Sequence, residues 1–124
     1  MASLSNTVLD AALNVITSNG ARLDLCSSEP TAYSGVSSVS LGNKTSLSVG
    51  SPADRSGGGR QVTVAAITSS ATGSVTGTGT ATHYAITNGS NALYATGSLS
   101  ASQSVTSGNT FTLAAFTVAI PDPA

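Results

Sequence analysis

The sequence predicts a mainly β protein: an antiparallel β-sandwich or barrel, of jelly-roll or immunoglobulin-like type, with one short N-terminal α-helix. Three observations predict it. Beyond Gly20, apolar residues alternate at period two in one run after another. Turn-forming residues interrupt these runs at intervals of about 8–12 residues, the spacing of short antiparallel strands. Only the first stretch, residues 5–17, carries a helical period. At 124 residues the chain is one domain's worth, and 1–124 reads as a single β domain with strands spread between 21 and 120.

The helix comes first. Ser5 is a suitable N-cap, and Leu4 before it is placed to pack on Leu9 as a hydrophobic staple. Val8, Leu9, Ala12, Leu13, Val15 and Ile16 recur at helical spacing, and Asn19-Gly20 supplies a stop. So short a helix is marginal alone and must dock, either on its own sheet or on a neighbouring subunit.

The strands follow. Ala21 to Cys26 places Leu23 and Leu25 on one face and ends at Ser28-Glu29-Pro30. Val36 to Leu41 and Ser46 to Val49 are weaker strand candidates, separated by Gly42-Asn43-Lys44. Gly50 to Arg60 is rich in breakers, and its glycine triplet demands a mobile or specially shaped loop. Gln61 to Ile67 is a strong strand, and Thr72 to Gly79 is either a strand or a ragged connection. Thr80 to Ile86 sets Thr82, Tyr84 and Ile86 against Ala81, His83 and Ala85, and the turn Asn88-Gly89 leads into Ala92 to Thr96. A last hairpin would pair Ser102 to Thr106 with Thr110 to Leu113, and the parity change at Ala114-Ala115 reads as a β-bulge before Phe116, Val118 and Ile120. The expected core is Leu23, Leu25, Val62, Val64, Tyr84, Ile86, Leu93, Phe111, Leu113, Phe116 and Val118.

Composition then narrows the function. Hydrophobic residues make up 40% of the chain, charged residues 7% and aromatics 4%, where an average soluble domain is about 25% charged. That combination argues against wholesale disorder. Four basic residues against five acidic ones cannot neutralise a row of phosphates, so no nucleic-acid partner is expected. The same count excludes a polybasic membrane mode, and no run reaches the about 20 apolar residues of a membrane span. Met1 to Ser5 has neither the basic nor the apolar part of a secretion signal, so none is expected. A surface of Ser, Thr, Asn and Gly is only weakly repulsive, which suits a protein packed against neighbours.

The search for chemistry comes back nearly empty. One His, one Cys and scattered acids cannot build a zinc site or an acid/base pair, so no enzyme activity, cofactor or metal is expected. His83 and Cys26 read as structural, since any of many Ser residues could be combined with His83 on paper. The glycines before Arg60 lack the phosphate-loop order, and a strand rather than a helix follows them. Asn43-Lys44-Thr45 and Asn88-Gly89-Ser90 match a glycosylation triplet, which means little without secretion. Asp54, Arg55 and Arg60 gather three of the nine charges, either as a locally paired solvated loop or as a loop that docks on a partner through Arg. A carbohydrate-binding module would need exposed aromatics, and Tyr33, Tyr84 and Tyr94 are the only tyrosines.

Arg22 to Pro30, Pro52-Ala53-Asp54-Arg55 with Gly59-Arg60, Val62 to Ile67, Gly97 to Ser102 and Gly108 to Leu113 resemble a family of small tailed-bacteriophage virion proteins. These motifs are structural and carry no catalytic signature. The resemblance implies a component of the phage particle, made in the bacterial cytoplasm and located in the virion. The expected function is decoration of the capsid, a cement protein that stabilises the shell by binding several major capsid subunits. The alternative is a tail, collar or fibre component that presents loops to a receptor. A major capsid protein or a tail protein is then the expected partner. Because Lys44 is the only lysine, sheet edges cannot be guarded by lysine, and a closed homo-oligomer is expected. The resemblance favours a trimer, suited to local three-fold positions of an icosahedral shell. Leu4, Val8, Asp54, Arg55 and Arg60 are the candidate contact residues.

Overall fold

The computed structural model describes residues 5–68 and 72–121. The elements run α1 (Asn6–Asn19), β1 (Arg22–Cys26), α2 (Tyr33–Val39), β2 (Ser40–Thr45), β3 (Ala53–Asp54), β4 (Arg60–Val64), β5 (Gly73–Val75), β6 (Gly79–Thr87), β7 (Leu93–Val105), β8 (Thr110–Phe111) and β9 (Phe116–Ile120). The strands form a six-stranded sheet in the order β7-β6-β1-β2-β5-β8 and a three-stranded sheet in the order β3-β4-β9. Every pairing is antiparallel. The expected mainly β class with one N-terminal helix is what the chain adopts, as an open sandwich-like fold rather than a closed barrel.

The helix starts and stops where the sequence placed its caps. The Val8 amide donates to Ser5 Oγ at 3.4 Å, and the Gly20 amide closes the last turn on the Ile16 carbonyl. Its buried stripe is narrower than the apolar count, comprising Leu9, Leu13 and Ile16; Val8 is 52% exposed and Val15 42%. Leu4, and with it the proposed staple, lies outside the described residues.

One cluster joins both sheets and α1: Ile16, Leu23, Leu25, Val64, Ile67, Val75, Tyr84, Ile86 and Phe111 are all buried in it. A smaller cluster of Cys26, Val36 and Ala85 lies under α2. Both faces of β1 are therefore covered, which is why Asp24 is buried too. Leu113, Phe116 and Val118, expected as core, are only partly buried, because they lie along the open side of the sandwich described below; Leu93 is also only partly buried, against the smaller cluster under α2.

Several expectations are corrected. Val36 to Leu41 is not a strand: Tyr33, Val36 and Val39 recur at a three-residue step, and the segment forms α2 before entering β2. Gly42-Asn43-Lys44 does not separate strands but lies within β2, since a Cβ at Gly42 would collide with the Ser74 carbonyl of the neighbouring β5. Ser46 to Val49 contributes only the bridge Val49↔Val64, after Ser46 turns the chain at φ 54°. The expected pairing of Ser102–Thr106 with Thr110–Leu113 does not form. Instead β7 continues to Val105 on β6, while β8 pairs with β5 at the opposite edge of the sheet. No bulge occurs at Ala114-Ala115. Val64↔Phe116 and Ile67↔Leu113 keep one register, so both strands break and change parity together. Among the register shifts that do occur, the largest lies between β6 and β7, where Ala81 faces Gln103 but His83 faces Ser98, so the extra residues are on β7; Ala81 joins Tyr84 and Ile86 in the core. Asn88-Gly89 does head a hairpin, but as the loop Asn88–Ala92, in which Asn88 Oδ1 accepts the amides of Ser90, Asn91 and Ala92.

Candidate functional site

Four charged residues, Asp10, Asp54, Arg55 and Arg60, come together at the start of the small sheet. Gly57, Gly58 and Gly59 take φ of 90°, 103° and 92°, a left-handed run that side chains resist, and this bends β3 back onto β4. Arg55 lies at the head of that turn: its Nη1 donates to the Gly58 carbonyl at 3.0 Å, and its backbone amide donates to the Gly59 carbonyl. Arg60, first residue of β4, reaches back to α1. Its Nε donates to Asp10 Oδ1 at 2.7 Å and its Nη2 to Asp10 Oδ2 at 3.1 Å, a two-point pairing. Its Nη1 donates to Asp54 Oδ1 at 2.6 Å. The two carboxylates hold the Arg60 guanidinium even further above its ordinary pKa, Asp10 more than Asp54.

The structure therefore brings Asp54, Arg55 and Arg60 together, as the sequence suggested, but spends Arg60 on the fold. The residue missed was Asp10. Its signal was a single acid on the polar side of a helix in a chain with few acids. Val8, two residues before it and so about 200° round the helix, lies exposed on another side of α1.

A second ion pair is structural. Arg22 Nε donates to Asp24 Oδ1 at 2.8 Å and the Ser40 hydroxyl donates to Asp24 Oδ2 at 2.8 Å, so the buried carboxylate is satisfied on both oxygens. Cys26 beside it is fully buried; burial, with Asp24 second, pushes its thiol from 9.0 up to about 12. Buried and held protonated in this way, the thiol serves as a packing group. His83 Nδ1 lies 2.9 Å from Thr82 Oγ1, whose hydroxyl also reaches the Ser27 carbonyl at 2.9 Å. Among the described residues, no three His, Cys, Asp or Glu side chains gather as a metal site would require. Tyr84 is buried and tilts against Phe116 at 4.4 Å between ring centroids, while Tyr33 and Tyr94 are half-buried. None of the tyrosines offers the exposed platform a carbohydrate module needs.

The remaining feature is an open seam. β7 ends the large sheet and β9 ends the small one, and among the described residues each is paired on one side only. Two hollows lie between them. One, of about 360 Å³, is lined by Tyr84, Leu99, Leu113 and Phe116 among others. The other, of about 430 Å³, is lined by Leu13, Val15 and Ile16 of α1 with Tyr94, Val118 and Ile120. No charged side chain lines either hollow.

No family model matches this chain, and neither a curated protein nor a solved structure similar to it was found.

Proposed function

We propose that this chain is a non-enzymatic structural protein of a bacteriophage particle that decorates the capsid shell and cements neighbouring capsid subunits. One observation carries the reading: five of the nine charged residues are spent on ion pairs that hold the fold, Arg22 with Asp24 and Arg60 with Asp10 and Asp54, so the surface left on offer is built almost wholly of uncharged side chains. Such a surface gains by being covered, and a protein that binds only the assembled lattice stabilises that lattice by mass action. The family resemblance of the Arg22–Pro30 and Pro52–Arg60 segments points the same way. The test is to add purified protein to assembled shells and image them by cryo-electron microscopy. Density repeated over the whole shell is the expected result. Density at the tail or collar alone would replace this reading with the tail one, and absence from both would overturn the virion reading.

A further inference from the structure

We propose that the hollow beside Tyr84 and Phe116 is a binding site for a small neutral organic molecule: a single ring bearing one oxygen that accepts a hydrogen bond from the Tyr84 hydroxyl.

The hollow lies where both of its walls depart from regular pairing. Between Ala81↔Gln103 and His83↔Ser98, one residue of β6 stands against four of β7, so residues 99–102 are surplus to the ladder. On the other wall, the ladder of β4 and β9 ends at Val64↔Phe116 and resumes only at Ile67↔Leu113, which leaves Ala114 and Ala115 out of it. Leu99 and Ser100 from the first irregularity, and Leu113 to Phe116 from the second, line the hollow. Bulges re-aim side chains and are over-represented beside functional sites.

Tyr84 is the second observation, independent of the first. It is 9% exposed, and its partner across the ladder is Gly97. A Cβ at Gly97 would stand 2.7 Å from the Tyr84 hydroxyl oxygen, so the phenol end lies across Gly97, on the wall of the hollow. Among the described residues nothing bonds to that hydroxyl. Nor is it sealed in: every fully buried side-chain nitrogen or oxygen described has a partner, so this unpartnered oxygen opens onto the hollow. A polar group held so deep costs stability unless something pairs with it. A lone water would satisfy the hydroxyl but leave Leu99, Leu113 and Phe116 wetted.

The lining sets the chemistry of the occupant. No charged side chain is present, and a charge brought in without a counter-ion would be desolvated at a loss. Burial holds the Tyr84 phenol above its ordinary pKa, so it stays protonated and able to donate. Tyr84 and Phe116, tilted at 45° with centroids 4.4 Å apart, form an aromatic wall that suits a ring. An enclosed apolar cavity of about 150 Å³ admits benzene. The hollow, at about 360 Å³, therefore has room for a ring with a short oxygen-bearing substituent.

The inference goes beyond the decoration reading and does not depend on it: shell binding can fail with this site intact, and the site can fail in a protein that decorates shells. The test is amide chemical-shift mapping by NMR on the full chain and on Tyr84→Phe, with three probes of similar size. Acetophenone has a ring and an accepting carbonyl, ethylbenzene lacks the oxygen, and benzoate carries a charge. Because the hydroxyl bonds nothing within the protein, Tyr84→Phe should unfold at or above the parent's temperature. The expected result is saturable acetophenone binding, with shifts centred on residues 97–100 and 113–117, tighter than that of either other probe. Tyr84→Phe should weaken acetophenone about three- to tenfold and leave ethylbenzene unchanged. If that variant does not fold, the ranking of the three probes on the parent decides. No saturable shifts around the hollow, benzoate or ethylbenzene binding as tightly as acetophenone, or equal acetophenone affinity in parent and folded variant would overturn the proposal. So would shifts of the same amides with protein concentration alone, which would show a second copy filling the hollow.

Discussion

At the scale of single residues, burial separates side chains that look equivalent in the sequence. Phe111 is buried and packs across Gly73, where any Cβ would strike its ring. Phe111→Ala is expected to cost about 3–5 kcal/mol, read as a lower denaturation midpoint. Val8→Ser, at a residue 52% exposed, should change the stability of the free protein by no more than about 0.5 kcal/mol. Cys26 gives a pH dependence of definite sign. Its thiol ionises near 9.0 in the unfolded chain but near 12 in the fold, so the stability it contributes is intact below 9.0 and is lost as the pH rises toward 12. Burial pushes the Tyr84 phenol in the same direction. Cys26→Ala should therefore lose less stability than the parent between about pH 8 and about pH 11, measured by urea unfolding. An identical slope in both proteins would place the alkaline loss elsewhere.

At the scale of elements, the most telling joint is α1 on the start of β4. Three apolar side chains anchor the helix, and Arg60 pins its polar side through Asp10. Thr17 adds a hydroxyl donated to the Gly50 carbonyl at 2.8 Å. Asp10→Asn should leave the sheets formed but speed hydrogen exchange in α1 relative to β1 and β6, with the difference shrinking at high salt. Uniform protection in the two proteins would show that Leu9, Leu13 and Ile16 suffice. This joint also marks how far the sequence could be read. The helix with its Ser5 and Gly20 caps was legible, because capping and period are local properties. So were β1, β4 and β6, whose apolar residues alternate. Tyr33–Val39 was not: with Ser and Gly between its apolar residues, its period is equally compatible with a strand, and what decides is Val36 burying against Cys26 and Ala85. Nor was the partner of β8, since a Gly-Asn turn predicts a local hairpin and carries no information that β5 would compete successfully for Thr110 and Phe111. Asp54, Arg55 and Arg60 were legible as a group because charge is scarce here. That Arg60 would be claimed by Asp10, fifty residues earlier in the chain, is a tertiary fact.

At the scale of the whole molecule, the fold dictates how the proposed shell binding can be probed. Removing the first 18 residues would test whether α1 touches the capsid only if the helix were an appendage, and it is not: Leu9, Leu13 and Ile16 are buried, and truncation would strip cover from the core. The contact must be examined with side chains that the fold does not need. Val8 is one, exposed on the outer side of α1. Arg55 is another: among the described residues its side chain bonds only to a carbonyl of its own turn, and the rest of its planar guanidinium keeps donors to offer. Val8→Ser/Arg55→Gln should keep the parent's thermal unfolding while weakening shell binding about tenfold or more, the equivalent of about 1.4 kcal/mol. The consequence for the shell follows from linkage. At a free concentration 100 times Kd a protein that decorates the shell as proposed would stabilise each site by about 2.7 kcal/mol, and a tenfold weaker variant at that concentration would give up about half of this. Shell disruption temperatures measured with parent and variant at equal concentration read that difference. Shells protected equally by both would move the capsid contact away from α1 and the Arg55 turn.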